Sequence, residues 1–257
     1  MIDIVIQGPY TPYTDEVIEE YLQAPFVNKV IISHWESDSH TSKWEDSRVE
    51  SVKSPDYTKY PGPANVNLQL TTSLTGVKAS ESKYVAKFRS DQKFTKDSLA
   101  RMWQFFMNNQ KPGRIFVCGN VFEHLFHPKD WVYWGERDDM INLFNAPHEV
   151  NELCEKNGVN SGNYGGFMRY LTRPETYIGA HYCALYDPRV KEMIDNEAEY
   201  LYDGAPSWTQ AKEISDTVTK ECFKCFAREG ITMEWPRKNI NCLPFDPSNE
   251  GWDEEGF

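Results

Sequence analysis

Arg89, Ser90 and Asp91 set a cation, a hydroxyl and a carboxylate side by side, just after a run that reads as a β-strand. Tyr84, Val85, Ala86 and Phe88 supply the aromatic, β-branched and small residues of that strand. A hard carboxylate at a strand end can hold a divalent cation, and the cation can hold a diphosphate. Lys87 alternates with Arg89, so both can point to one face and add positive charge. The competing reading of Lys87 and Arg89 is a surface ion pair. In open α/β sheets ligands bind beyond the carboxyl ends of the strands. The expected ligand is therefore a nucleoside-diphosphate sugar, with Asp91 at the centre of its site.

Four other polar groups fall at element ends. Gln7, Gly8 and Pro9 follow the apolar run Ile2 to Ile6. Gly8 lets a backbone approach a ligand and Pro9 stops the strand; a plain turn would use the same residues. No G-x-G-x-x-G is present, so a dinucleotide fingerprint is absent. Trp35 and Glu36 close a second strand over 28–36. Asn65, Asn67 and Gln69 stand near the start of a helix over 65–79, where free amides and the dipole favour anions. Capping and solvation explain the same amides. Glu175 follows Pro174 at the start of a helix over 173–183.

The elements needed to position these clusters alternate. A strand over 2–6, a helix from Thr14 to Leu22 capped by Thr14, and a strand over 28–36 make a parallel β-α-β unit. Asp3 sits among apolar residues, which predicts a less buried side. A short strand over 48–53, a Pro- and Gly-rich loop over 54–63, the 65–79 helix, the Arg-Ser-Asp strand, a helix over 95–108 and a strand over 114–119 continue the pattern. The architecture expected is an α/β fold with a mostly parallel, Rossmann-like sheet and helices on both faces. Beyond residue 120 aromatics and histidines are dense, and Trp131 to Trp134 reads as a strand crossing the sheet. A short helix over 138–144, a Gly- and Asn-rich loop over 157–166 and a last helix over 215–228 follow. The tail over 244–257, with five acids, is expected to be a solvated or loosely docked end. Residues 1–120 would form the nucleotide-sugar half, and 121–257 the smaller acceptor-side half and C-terminal helices of the same domain.

At 257 residues, 40% apolar and 14% aromatic, the chain can bury a sizeable core. Its formal charge of −12 argues against a nucleic-acid partner. No run approaches a membrane span, and the N-terminus lacks the pattern of a signal peptide. Cysteines at 118, 154, 183, 222, 225 and 242 are scattered, which suits a reduced, cytoplasmic protein. Cys222 and Cys225 form one C-x-x-C with no second pair, and are expected to pack on one helix face.

The strand entering Gln-Gly-Pro, Ser-x-Trp-Glu after the second strand, Asn-x-Asn-x-Gln, Lys-x-Arg-Ser-Asp, His-Pro-x-Asp-Trp and Pro-Glu-x-Tyr occur in that order over residues 2–183. Together they resemble the WavE family of lipopolysaccharide-synthesis proteins. The resemblance implies a fold similar to the GT-A glycosyltransferases, where an Asp-x-Asp motif holds Mn2+ or Mg2+ with the donor diphosphate. Here Arg89 replaces the first Asp, and can supply charge the metal would otherwise provide. Donor contacts are then expected from Gln7, Gly8, Pro9, Trp35, Glu36, Asn67, Lys87, Arg89 and Ser90. An inverting transfer needs a carboxylate to take the acceptor hydroxyl's proton. Glu175 resembles the helix-opening catalytic acids of that fold; Asp138 and Asp139 are the other candidates. Asp130 would bind glycan acceptor hydroxyls, with Trp131 stacking on a sugar ring or packing in the core. His181 is similar to a late histidine metal ligand, alongside Asp91. A sugar-phosphate nucleotidyltransferase and a non-catalytic carbohydrate-binding domain are the alternatives. The first usually needs a Gly-rich, basic N-terminal loop, which Gln7-Gly8-Pro9-Tyr10 lacks.

Overall fold

The computed structural model describes residues 1–38, 44–55, 61–118, 124–148, 163–164, 167–168, 171, 173–201, 204–226, 231–235 and 240–244. Most of the 157–166 loop and all of the tail beyond 244 lie outside them, as does Cys154.

Alternation along the strands decides which side chains go to which face. In β1 (Ile2–Gln7) and β2 (Val27–Trp35), Ile2, Ile4, Ile6, Val30 and Ile32 join one core cluster, while Val5 and Ile31 join another. Both faces are thus covered, and the strands read as nearly continuous apolar runs. Helices α1 (Pro12–Leu22) and α3 (Lys96–Asn109) cover the first face through Val17, Ile18, Tyr21, Leu99, Met102 and Phe106. Helices α2 (Val66–Ala79), α4 (Arg137–Phe144) and α5 (Pro174–Cys183) cover the second.

The main sheet has seven strands in the order β10-β6-β7-β4-β1-β2-β3, with β3 (Val49–Ser54), β4 (Tyr84–Arg89), β6 (Ile115–Val117), β7 (Val132–Glu136) and β10 (Phe223–Cys225) completing it. All neighbours pair in parallel except β7, which is antiparallel to both β4 and β6. The crossing strand is therefore an inserted, reversed strand within a mostly parallel sheet. A small sheet, β12 (Ile240–Pro244), β11 (Thr232–Trp235) and β5 (Lys93–Phe94), flanks it, and β8 (Asn163–Tyr164) pairs with β9 (Phe167–Met168). Helices α6 (Pro188–Asp195), α7 (Glu197–Tyr200) and α8 (Trp208–Cys222) pack outside α5. No helix among the described residues is long and apolar enough to cross a membrane.

Four local expectations change. Asp3 is fully buried, accepting from Asn28 Nδ2 (2.8 Å), Ser80 Oγ (2.7 Å), Ser82 Oγ (2.7 Å) and the amides of Glu81 and Ser82. These donors satisfy the carboxylate and fasten the turn that launches β4. Thr14 is not the cap: α1 opens one turn earlier after Thr11, and Thr14 Oγ1 accepts from Thr11 N at 3.0 Å. The last helix runs from Trp208 and ends at Cys222, because Phe223 to Cys225 pair as a strand with Ile115 to Val117. Cys222 and Cys225 consequently belong to different elements rather than one helix face.

Candidate active site

Val85 lies in the core of the α2–α4–α5 face, so Lys87 and Arg89, two and four residues on, project to that side. Lys87 is fully buried, not part of a surface pair; its Nζ donates to the Asp130 carbonyl at 3.0 Å and lies 5.4 Å from the Tyr133 ring centroid. Burial pulls its pKa down to about 8, with Arg89 adding to the pull and Asp130 opposing it. Lys87 is therefore still mostly a cation at pH 7.

Arg89 ends β4. Its Nε and Nη2 donate to the two Asp91 oxygens at 2.9 and 3.1 Å, and Nη1 donates to Asp130 Oδ2 at 2.9 Å. The bidentate fork is the strong form of this pair. Burial opposes the Arg89 charge, but Asp91 and Asp130 outweigh it and drive its pKa up. Burial would likewise raise Asp91, but Arg89 and then the Trp235 indole, donating at 3.3 Å, hold its carboxyl below the usual range.

The reversal of β7 brings the second half of the site to this rim. Val132 is opposite Phe88, so Asp130 and Trp131 precede β7 at the carboxyl end of β4. Glu136 is opposite Tyr84, so Asp138 and Asp139 start α4 at the far end of the sheet. Asp138 is exposed beside Arg137, and Asp139 accepts from the Gly113 amide at 2.8 Å. The topology removes both from the site.

Helix α5 starts at the same rim and carries Glu175, half-buried in its first turn. Burial pushes the Glu175 pKa up to about 7, Asp130 adds to it, and its own amide, Arg89 and Lys87 pull against it. Gly179 fixes the seating of α5: a Cβ there would strike the Phe126 carbonyl and come within 2.7 Å of Pro128 Cδ. His127 Nδ1 also pairs with Thr176 Oγ1 at 2.9 Å. The His-Pro-x-Asp-Trp and Pro-Glu-x-Tyr segments thus lock together, which keeps Glu175 within reach of the Asp130 charge. Trp131 is half-buried, with Lys129 Nζ 4.7 Å from its ring centroid and the Trp235 ring edge-to-face at 5.7 Å.

Gln7 and Ser90 meet across the same rim, Ser90 N donating to Gln7 O at 2.9 Å. The space at Gly8, whose φ is +130°, is taken by Ser90: a Cβ would fall 2.5 Å from Ser90 Oγ. Pro9 is exposed. Glu36 is exposed at the end of β2, its amide bonded to Ser54 O at 3.0 Å. The Trp35 indole N–H and Gln69 Nε2 are buried with no hydrogen-bond partner among the described residues, leaving two open donors near the ends of β2 and α2. Asn67 is buried against Gly62 rather than open at the helix start.

His181 lies about 9 Å along α5 from Glu175 at the helical rise. Its ring packs on Tyr177 at 4.4 Å, and burial, with Lys191 of α6, lowers its pKa to about 4. Among the described residues no group of three His, Cys, Asp or Glu side chains could hold a metal ion. Asp91 and Asp130 both already serve Arg89. This donor set does not suit a hard divalent cation, which needs several free oxygens. Trp235 was missing from the sequence-based site, since nothing near it in the chain links it to Asp91.

Fold and site together define a doubly wound α/β protein with a charged site at the carboxyl edge of its sheet, where that architecture binds ligands. The chain belongs to the WavE lipopolysaccharide synthesis family, whose family model matches residues 2–197. No curated protein matches it. Among solved structures it is similar to 2-C-methyl-D-erythritol 4-phosphate cytidylyltransferase (IspD) of Francisella tularensis, at 7% identity and a TM-score of 0.38, over 64% of this chain and 82% of that one. It is also similar to 4-diphosphocytidyl-2C-methyl-D-erythritol synthase of Anaerococcus prevotii, at 8% identity and a TM-score of 0.39, over 61% and 82%. A third is HddC of Yersinia pseudotuberculosis, at 10% identity and a TM-score of 0.35, over 55% and 78%. Likeness of this size says nothing about what this chain does.

Proposed function

We propose that the chain is a GT-A-like glycosyltransferase that moves a sugar from a nucleoside-diphosphate sugar to a glycan acceptor in the cytoplasm. The supporting observation is Glu175, whose pKa of about 7 lies where a general base works best, at the same rim as Lys87 and Arg89 and within reach of their charges. Glu175 takes the proton of the acceptor hydroxyl as that oxygen attacks the anomeric carbon. The bond to the nucleoside diphosphate breaks, and its electrons leave on the diphosphate oxygen. Arg89 and Lys87 stabilise that charge as it develops. Among the described residues Arg89 uses three of its five N–H groups, so two remain for a phosphate. Asp91 orients the guanidinium, and half-buried Trp131, packed against Lys129 and Trp235, borders the acceptor sugar. The reaction is proposed to run without Mn2+ or Mg2+, because the carboxylates that would bind it hold Arg89 instead.

A thermal-shift panel tests the reading, since a ligand bound only to the native state raises its stability. Nucleoside diphosphates and their sugars should raise the melting temperature. A shift only with a nucleoside triphosphate plus a sugar phosphate would make the chain a nucleotidyltransferase. No shift with any of them would leave a carbohydrate-binding domain.

A further inference from the structure

Trp235 lies beyond residue 197, where the family match ends, on the strand β11. Its Nε1 donates to Asp91 Oδ2 at 3.3 Å, and its ring centroid is 5.5 Å from Arg89 Cζ. One indole thus touches both partners of the central ion pair, the N–H on the acid and the π-face on the cation. The strand that carries it is fastened to the chain directly after Asp91. Met233 and Glu234 pair with Phe94 and Lys93, Glu234 forms an ion pair with Lys93 at 2.8 Å, and Thr232 N donates to Ser98 Oγ at 2.8 Å. Trp235 is itself 6% exposed and wedged edge-to-face against Trp131.

These contacts remove the freedom the pair would otherwise have. Without the indole N–H, Asp91 keeps only Arg89 and its own amide among the described residues, and its Oδ2 loses the contact that fixes it from the β11 side. With the ring in place, one face of the guanidinium is covered, so only its other face and its unused N–H groups can meet a ligand. We infer that Trp235 is a positioning residue of the donor site, and that the β11 segment completes that site by locking Asp91 and Arg89 in the arrangement that receives a nucleoside diphosphate. The inference rests on the donor-site reading above.

The test is calorimetry of UDP, GDP, CDP and ADP on the full chain, with wild type, Trp235→Phe, Asp91→Asn and the double variant. Trp235→Phe keeps a ring over Arg89 and removes the N–H. It should weaken the diphosphate that wild type prefers by about tenfold, as expected for a lost hydrogen bond to a charge, with the melting temperature within a few degrees. In the Asp91→Asn background the same change should cost less than twofold, because the charged acceptor that the indole fixes is gone. Unchanged affinity in a folded Trp235→Phe, or full additivity in the double variant, would overturn the inference. If Trp235→Phe does not fold, Trp235→Leu, which also removes the N–H and adds no donor, carries the comparison. If wild type binds none of the four, the donor-site reading falls, and this inference with it.

Discussion

Arg89 grips both carboxylate oxygens of Asp91 while its third nitrogen reaches Asp130 at 2.9 Å. One guanidinium thereby ties the end of β4 to the segment that enters β7. The carboxylate expected to hold a metal instead holds an arginine, and the proposed chemistry turns on that exchange. The pair is only partly exposed, so it is less screened than a surface ion pair.

Glu175→Gln should lower kcat by roughly 10²–10⁴-fold while donor KM stays within about twofold. In wild type kcat/KM should climb with pH through about 7 as Glu175 loses its proton, and the variant should lack that limb. Stability moves the opposite way. The native pKa lies above the ordinary 4.5, so the native state binds the extra proton between about 4.5 and 7, and stability falls as pH rises across that window. Glu175→Gln should flatten this slope and melt a few degrees higher than wild type at pH 8. A collapse of donor binding instead would remove Glu175 from the role of base.

Gly179→Ala tests the seating of α5. The added methyl meets the Phe126 carbonyl, which belongs to the backbone and cannot rotate away. Overpacking of this kind costs about 1–3 kcal/mol, so the melting temperature should drop by roughly 5 °C. Turnover should fall with it, because the helix that carries Glu175 must shift. A variant that melts and turns over like wild type would show that the contact does not position the base.

Asp3→Asn should separate stability from activity. Asp3 sits at the opposite end of β1 from Gln7, far from the proposed chemistry. Burial would raise its pKa, but the hydrogen bonds of Asn28, Ser82 and Ser80 outweigh burial and lower it. Its stabilisation is thus present above the ordinary 3.8 and is lost as pH falls through the lower native value. The variant should be less stable by about 2–3 kcal/mol near pH 7, as expected when bonds to a buried charge are lost. It should also lose that acid-side slope, yet keep wild-type kcat per folded molecule. Lost activity in folded Asp3→Asn would place Asp3 in the catalytic machinery after all.

EDTA should leave the thermal shift produced by a nucleoside diphosphate unchanged. His181→Ala should leave diphosphate affinity within about twofold, whatever it does to stability. A shift that appears only with Mn2+ or Mg2+ would restore the metal and return Asp91 to it.

The strand ends were legible in the sequence because a short chemical signal repeats there: an apolar run broken by Gln7-Gly8, Trp35-Glu36 or Arg89-Ser90-Asp91. The common face of Lys87 and Arg89 followed from alternation alone. The direction of β7 was not legible, since parallel and antiparallel strands of this length share a composition. Asp138 and Asp139 therefore stood as further candidates behind the favoured Glu175 until topology put them at the other edge. Asp3 looked half-exposed because its five donors come from residues 28 and 80–82, distant in the chain. Trp235 was invisible for the same reason, being 144 positions from Asp91.

The most direct measurement is calorimetric titration of nucleoside diphosphates into wild type and Arg89→Ala, both in EDTA. The account predicts that at least one diphosphate binds wild type without metal and that Arg89→Ala weakens it by at least tenfold while staying folded. Equal affinity in the two proteins would contradict it, as would binding that requires a divalent ion.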